Sequence, residues 1–231
     1  MNQEVVLILF RFTALIFAFS VHEAAHAWMA SRLGDQTARM LGRVTLNPIK
    51  HIDPLGSVLF PLIGAFYGGF MVGWAKPTPV TPRNFKNYKR DDILVTVAGP
   101  LSNVGFAIVC VLLLALIKHA VPGGWQAIIS ASSFAMKDPG VAIGAGILFP
   151  LCLLLYVSIL INLLLFVFNL IPIPPLDGSR VFMHFLPARL QSMYSRLGMF
   201  SLLILWFVSG RFIAVFYYPL LGVFNGALNA L

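Results

Sequence analysis

The chain has 231 residues, 59% of them hydrophobic and only 10% charged, with a mean hydropathy of +0.87. Soluble domains carry about 25% charged residues, so the solvent of this chain is mainly lipid and a soluble globular fold is excluded. The net charge of +8 does not indicate nucleic-acid binding, because nine of the sixteen basic residues lie in Arg32–Asp92 and three more are Arg180, Arg189 and Arg196, the clustering expected of cytoplasmic loops.

Taken in chain order, Val5–Ala30, interrupted by Arg11, predicts a first span running from outside to inside. Ile93–Ile117 predicts a second; like Pro139–Leu176, it contains no Asp, Glu, Lys or Arg, and about 20 apolar residues suffice to cross. The third span covers about 141–170 and the fourth about 197–221. Placing both basic loops inside puts the N-terminus and the Lys118–Asp138 loop outside. "SGRF", Ser209–Phe212, is expected to break the last element and leave a C-terminal helix in or on the membrane. The first segment lacks a basic n-region and a small-residue cleavage site, so a cleaved signal peptide is not expected. Cys110 and Cys152 sit in apolar runs and read as core residues without a disulfide. The predicted class is an all-α polytopic membrane protein of about four spans, forming one membrane-embedded domain over residues 1–231.

One stretch resists that count. Gly56–Ala75, "GSVLFPLIGAFYGGFMVGWA", is uncharged but carries Pro61, Gly64, Gly68, Gly69 and Gly73, poor material for a helix facing lipid. A full crossing would also put the basic loops on either side of it on opposite faces. A re-entrant hairpin over about 56–80 is favoured over a fifth span.

Three polar sites fall in or beside the spans. "FSVHEAAHAW" places His22, Glu23 and His26 within one turn and a half of the first span. Residues four apart share a helix face, and two imidazoles so spaced can bind one tetrahedral Zn²⁺ with the intervening Glu as general base. Ionisable residues in spans cost about 2.5–3.5 kcal/mol each on insertion scales, and mark functional sites by default. A hydrolytic zinc site wants a third ligand, and Asp177 in "NLIPIPPLDG" is the acidic candidate. Pro172, Pro174 and Pro175 predict that the third span unwinds there into extended chain, with Asp177 on a turn beside Gly178; a plain cytoplasmic turn is the alternative. Asn103 in "AGPLSN" either bonds a neighbouring helix or donates to a developing oxyanion. The charge-based topology puts all three sites near the inner ends of their spans, at one depth and on one side.

"HEAAH", "AGPLSN" and "NLIPIPPLDG", in this order, resemble the site-2 protease family of intramembrane zinc metalloproteases. "LGRVTLNPIKHIDPLGS" (Leu41–Ser57) and "VGWAKPTPVTPRNF" (Val72–Phe85) resemble its small prokaryotic branch, and the resemblance covers roughly Val5–Arg180. It implies that His22, His26 and Asp177 bind one zinc per chain, that Glu23 activates water, and that Asn103 stabilises the oxyanion or positions substrate. It implies a three-span catalytic core and cleavage within transmembrane helices of other membrane proteins, in a cell membrane. Many bacterial members carry a PDZ-type domain between the motifs; the loops here are too short for one, which excludes gating by such a domain. His51 in "HIDP" belongs to the same resemblance, with a loop or hairpin contact as its plainest reading.

Two other readings follow from the same residues. A metal transporter would use His22, His26 and Asp177 as a midplane ion site, but spans two to four offer no second acidic or histidine site to continue a pathway. An inactive scaffold of the same fold would be expected to have lost one of the four groups, and all four are present.

Overall fold

A computed structural model describes residues 3–66, 73–138, 146–196 and 201–231. Helix α1 (Gln3–Arg32) is followed by a single helical turn, α2 (Thr37–Met40). A π-helical stretch, Pro54–Leu59, leads into α3 (Phe60–Phe66). Then come α4 (Tyr88–Ala120), α5 (Gly124–Met136), α6 (Leu148–Asn169), α7 (Asp177–Met183), α8 (Ala188–Arg196) and α9 (Ser201–Ala230). Among the described residues, four segments are long and apolar enough to cross a membrane: Gln3–Arg32, Tyr88–Ala120, Leu148–Asn169 and Val208–Ala230.

Helices α1, α4 and α6 pack against one another, and α5 and α9 lean on the α4–α6 pair. The main core is built from Leu7 and Ala14 of α1, Ala107 and Leu114 of α4, Phe134 of α5, and Leu153 and Leu163 of α6. Small residues at the α1–α4 contact let the backbones approach, as helix packing in lipid requires. Cys110 and Cys152 are buried free thiols in this core.

Two expectations are corrected. The Lys118–Asp138 segment is no simple loop: it contains α5, whose Ile128, Ala131, Phe134 and Ala135 are buried. Gly123 at φ +76° makes the turn out of α4, a left-handed conformation that glycine adopts without penalty. At the other end, α9 runs without interruption through Ser209–Phe212. A single Gly costs a helix only about 1 kcal/mol, and Arg211 lies exposed, so nothing forces a break.

The apolar stretch after Pro54 returns to its starting point. The Trp74 N–H donates to the Gly56 carbonyl (3.1 Å), and the Lys76 N–H donates to that of His51 (2.8 Å). Ser57 Oγ donates to the Trp74 carbonyl (2.8 Å). Chain entry and exit are thus side by side, the geometry of a hairpin; residues 67–72, including Gly68 and Gly69, lie outside the described residues. His51 is buried at this neck with Nε2 on the Thr45 carbonyl (2.8 Å). Buried Arg43 donates to the Lys50 carbonyl (2.5 Å), so the neck's backbone acceptors are satisfied away from water.

Candidate metal centre

His22 and His26 stand one turn apart on the face of α1 that packs on α4, and both are 6% exposed. Each ring is held by its Nδ1. His26 Nδ1 lies 2.7 Å from the Val95 carbonyl, which only accepts, so Nδ1 carries the proton. His22 Nδ1 lies 2.7 Å from Asn103 Oδ1. Asn103 donates its amide to Asn162 Oδ1 (2.8 Å), and Asn162 in turn donates to the Ser158 carbonyl (2.8 Å). That chain of donors fixes Asn103 Oδ1 as an acceptor and His22 Nδ1 as a donor. Assigned from this network, both Nε2 atoms present lone pairs.

Those lone pairs converge on Asp177. His22 Nε2 is 3.1 Å and His26 Nε2 3.4 Å from Asp177 Oδ2, and the two Nε2 atoms are 3.0 Å apart. Asp177 Oδ2 is buried and receives no hydrogen bond. Three electron-pair donors in mutual contact repel unless a cation sits among them. A tetrahedral zinc with bonds of about 2.0–2.2 Å holds its N and O donors roughly 3.3 Å apart. The residues present fit that ion in number, type and spacing.

Asp177 reaches the site by a route the prolines dictate. Helix α6 ends at Asn169, before Pro172, Pro174 and Pro175. The connection is a series of turns and not extended chain, with the Ile173 N–H on the Ile171 carbonyl (2.8 Å) and the Leu176 N–H on that of Ile173 (3.1 Å). Asp177 is the first residue of α7 and not a turn residue. Gly178 permits the approach: a Cβ there would lie 2.6 Å from the Leu170 carbonyl carbon and 2.8 Å from the Ile171 oxygen. Helix α7 is then fastened to the start of α4. Arg180 donates to Asp92 Oδ1 (2.6 Å), and His184 Nε2 lies 2.7 Å from Asp92 Oδ2; Asp92 is itself buried.

Glu23 stands beside this trio, with its ligand atom and those of His22 and His26 all within 4.8 Å of one another. Its Oε2 accepts from the Thr78 N–H (2.7 Å), and its backbone carbonyl accepts from Thr78 Oγ1 (3.0 Å). The segment returning from the hairpin is therefore stitched to α1 at the acidic residue.

The structure brings His22, Glu23, His26, Asn103 and Asp177 into one place. Sequence reading missed Thr78, Asn162, Asp92 with Arg180 and His184, and Gly99, whose missing side chain makes room for both imidazoles. Asn162 was detectable as a lone amide in an apolar run. Thr78 was not, since its contribution is mostly a backbone N–H.

The model of peptidase family M50 matches residues 10–205. "Putative zinc metalloprotease YwhC" of Bacillus subtilis is 40% identical over 173 residues, 75% of this chain and 67% of that protein. "Putative zinc metalloprotease Rip2" of Mycolicibacterium smegmatis is 30% identical over 71% of this chain and 52% of its own length. Rip2 of Mycobacterium tuberculosis is 27% identical over the same shares, so the chain spans about half the length of these Rip2 proteins. No solved structure matches the chain significantly. With the motif order, the helical membrane fold and the converging histidines, these matches lead to one conclusion: the chain belongs to peptidase family M50, the site-2 protease family, and is a zinc metalloprotease.

Proposed function

We propose that this protein hydrolyses peptide bonds within or near transmembrane segments of other membrane proteins, the chemistry of regulated intramembrane proteolysis. His22, His26 and Asp177 hold one zinc per chain, and Glu23 is the general base. The observation that carries the reading is the contact of three lone-pair atoms at 3.0–3.4 Å with no proton assigned between them. Held by His22, His26 and Asp177, a zinc ion would supply Lewis acidity, lowering the pKa of water to about 7 and polarising a peptide carbonyl.

The rest is work for the chain's own groups. Asn103 and the Val95 carbonyl keep both imidazoles in the tautomer that offers Nε2, as outer partners of metal ligands do. Thr78 holds Glu23 Oε2, leaving Oε1 to take the proton from water and return it to the leaving amine. Asn103 spends its oxygen on His22 and one N–H on Asn162; its second N–H is the group left for substrate or oxyanion. The whole chain acts as one membrane-embedded unit in the cell membrane, with basic loops and active site towards the cytoplasm and the N-terminus outside.

Metal content by mass spectrometry on purified wild type and Asp177→Ala tests the ligand set. About one zinc per chain, sharply reduced in the variant, is expected; equal zinc in both removes Asp177 from the site. Glu23→Gln should retain zinc and lose cleavage of model transmembrane peptides. Metal flux into sealed vesicles that survives this substitution would favour a transporter instead.

A further inference from the structure

A groove of about 310 Å³ runs between α4 and α7, and Asp177 forms part of its wall. Apart from Thr96, its lining is otherwise apolar: Val97 and Pro100 from α4, Leu170 from the end of α6, and Val181, Phe182 and Phe185 along α7 and just after it. Among the described residues no other charged side chain faces it. The volume is at the small end of ligand sites, which run from about 300 to 1,000 Å³; it suits one bulky side chain better than a whole ligand. Leu170, Phe182 and Phe185 stand open at its edge, 42%, 43% and 67% exposed.

Its polar floor is unusual. Thr96 lines the groove, and its Oγ1 is buried without a hydrogen-bond partner. Pro100, four residues on, has no N–H to give the Thr96 carbonyl. Buried polar atoms left unpaired are rare in folded proteins and call for an explanation. The N–H of a peptide backbone lying along α4 would give Thr96 Oγ1 the partner it lacks.

We propose that this groove is a subsite for a large apolar side chain of the substrate, next to the bond that is cut, with Thr96 taking a hydrogen bond from the adjoining backbone. The inference rests on the hydrolysis proposed above and adds a preference to it: aliphatic or aromatic residues are accepted, charged ones are disfavoured by desolvation in a mainly apolar lining, and anionic ones are further repelled by the Asp177 carboxylate. Asp177 joins the two sites directly, since Oδ2 turns to the imidazoles while the side chain remains 15% exposed.

The test uses the zinc-loaded full chain in detergent and two peptidyl hydroxamates that differ only in one side chain, benzyl or methyl, beside the metal-binding group. Calorimetric titration should show the benzyl compound binding at least about tenfold more tightly to wild type. Val181→Trp fills the groove from α7 and Val97→Trp fills it from α4; in either, the benzyl-to-methyl ratio should fall to about one, with zinc content as the control. Equal affinities in wild type, or a preference that survives both fillings, overturns the subsite. Zinc-loaded protein that binds neither compound overturns it as well. Protein that takes up no zinc at all overturns the hydrolytic reading itself, so the two failures are told apart.

Discussion

Gly99 of α4 and His26 of α1 are packed so closely that the imidazole rests on bare backbone: a Cβ on Gly99 would collide with His26 Nε2 and lie 2.7 Å from His22 Cε1. The first residues of "GPLSN" are thus the floor on which the His22 and His26 rings lie. Gly99→Ala is expected to push both rings away from Asp177 and weaken zinc binding at least about tenfold, with helix content by circular dichroism unchanged. Gly105→Ala, where a Cβ meets nothing within 4 Å, is the matched control and should keep its zinc.

Asn103 Oδ1 lies 2.7 Å from His22 Nδ1, so in the proposed site it acts on the metal through His22. Asn103→Leu removes the acceptor of His22 Nδ1 and strands Asn162. Zinc affinity should fall about 10–100-fold, and stability by about 1–3 kcal/mol. Asn103→Asp keeps an acceptor at the same place and should recover most of the affinity. Competition with a fluorescent chelator measures the first effect, and thermal melts of the metal-free protein measure the second.

Asp92 is 88 residues from Arg180 in sequence and joined to it by a 2.6 Å contact. Asp92→Asn leaves Arg180 and His184 without an anion and frees the helix that starts with Asp177. A fully buried pair broken on one side costs roughly 3–5 kcal/mol; with Arg180 37% exposed, screening reduces the expectation to about 2 kcal/mol. Faster release of zinc to excess chelator, together with a lower melting temperature, is the expected result.

Asp35, just past α1, governs the acid stability of the loop at that end. Burial pushes its carboxyl pKa up, but hydrogen bonds from Thr37, Thr81 and Asn84 outweigh that and hold it below the usual carboxylate value. A folded pKa below the unfolded one means that the unfolded chain binds more protons. The contribution is therefore complete above the unfolded value of about 3.9 and is lost as pH falls through the lower folded value. Hydrogen exchange of the Asp35–Asn84 region should accelerate below about pH 4 in wild type. Asp35→Asn should exchange fast at neutral pH and lose most of that dependence.

The three long apolar helices at the centre were legible because lipid imposes a length and a composition on them. The proposed metal trio was legible because ionisable groups in a span are costly, which singles out His22 and His26, while Asp177 alone reads as a plain turn and joined them only through the shared depth and side of the motifs. Helix α5 was hidden because thirteen residues cannot cross and its serines resemble a loop; its burial comes from α6, which no local pattern reports. The start of α7 at Asp177 was hidden for a related reason. Prolines announce where α6 stops, but they say nothing about how soon the next helix begins. Gly99 and Thr78 act by an absent side chain and a backbone N–H, and neither is a residue-type signal at all.

The unequal lengths of α4 and α6 carry a consequence for the membrane around them. Helix α4 has 33 residues and α6 has 22, about 50 Å and 33 Å at 1.5 Å per residue, against a hydrocarbon core of about 30 Å. One nearly matches the bilayer and the other overshoots it, so α4 must lean or protrude. The two are locked together by the Asn103–Asn162 bond and the shared core, so leaning turns the bundle as a single body. Where α4 leans, a change in lipid chain length is expected to tilt the bundle and shift the depth of the histidines below the headgroups.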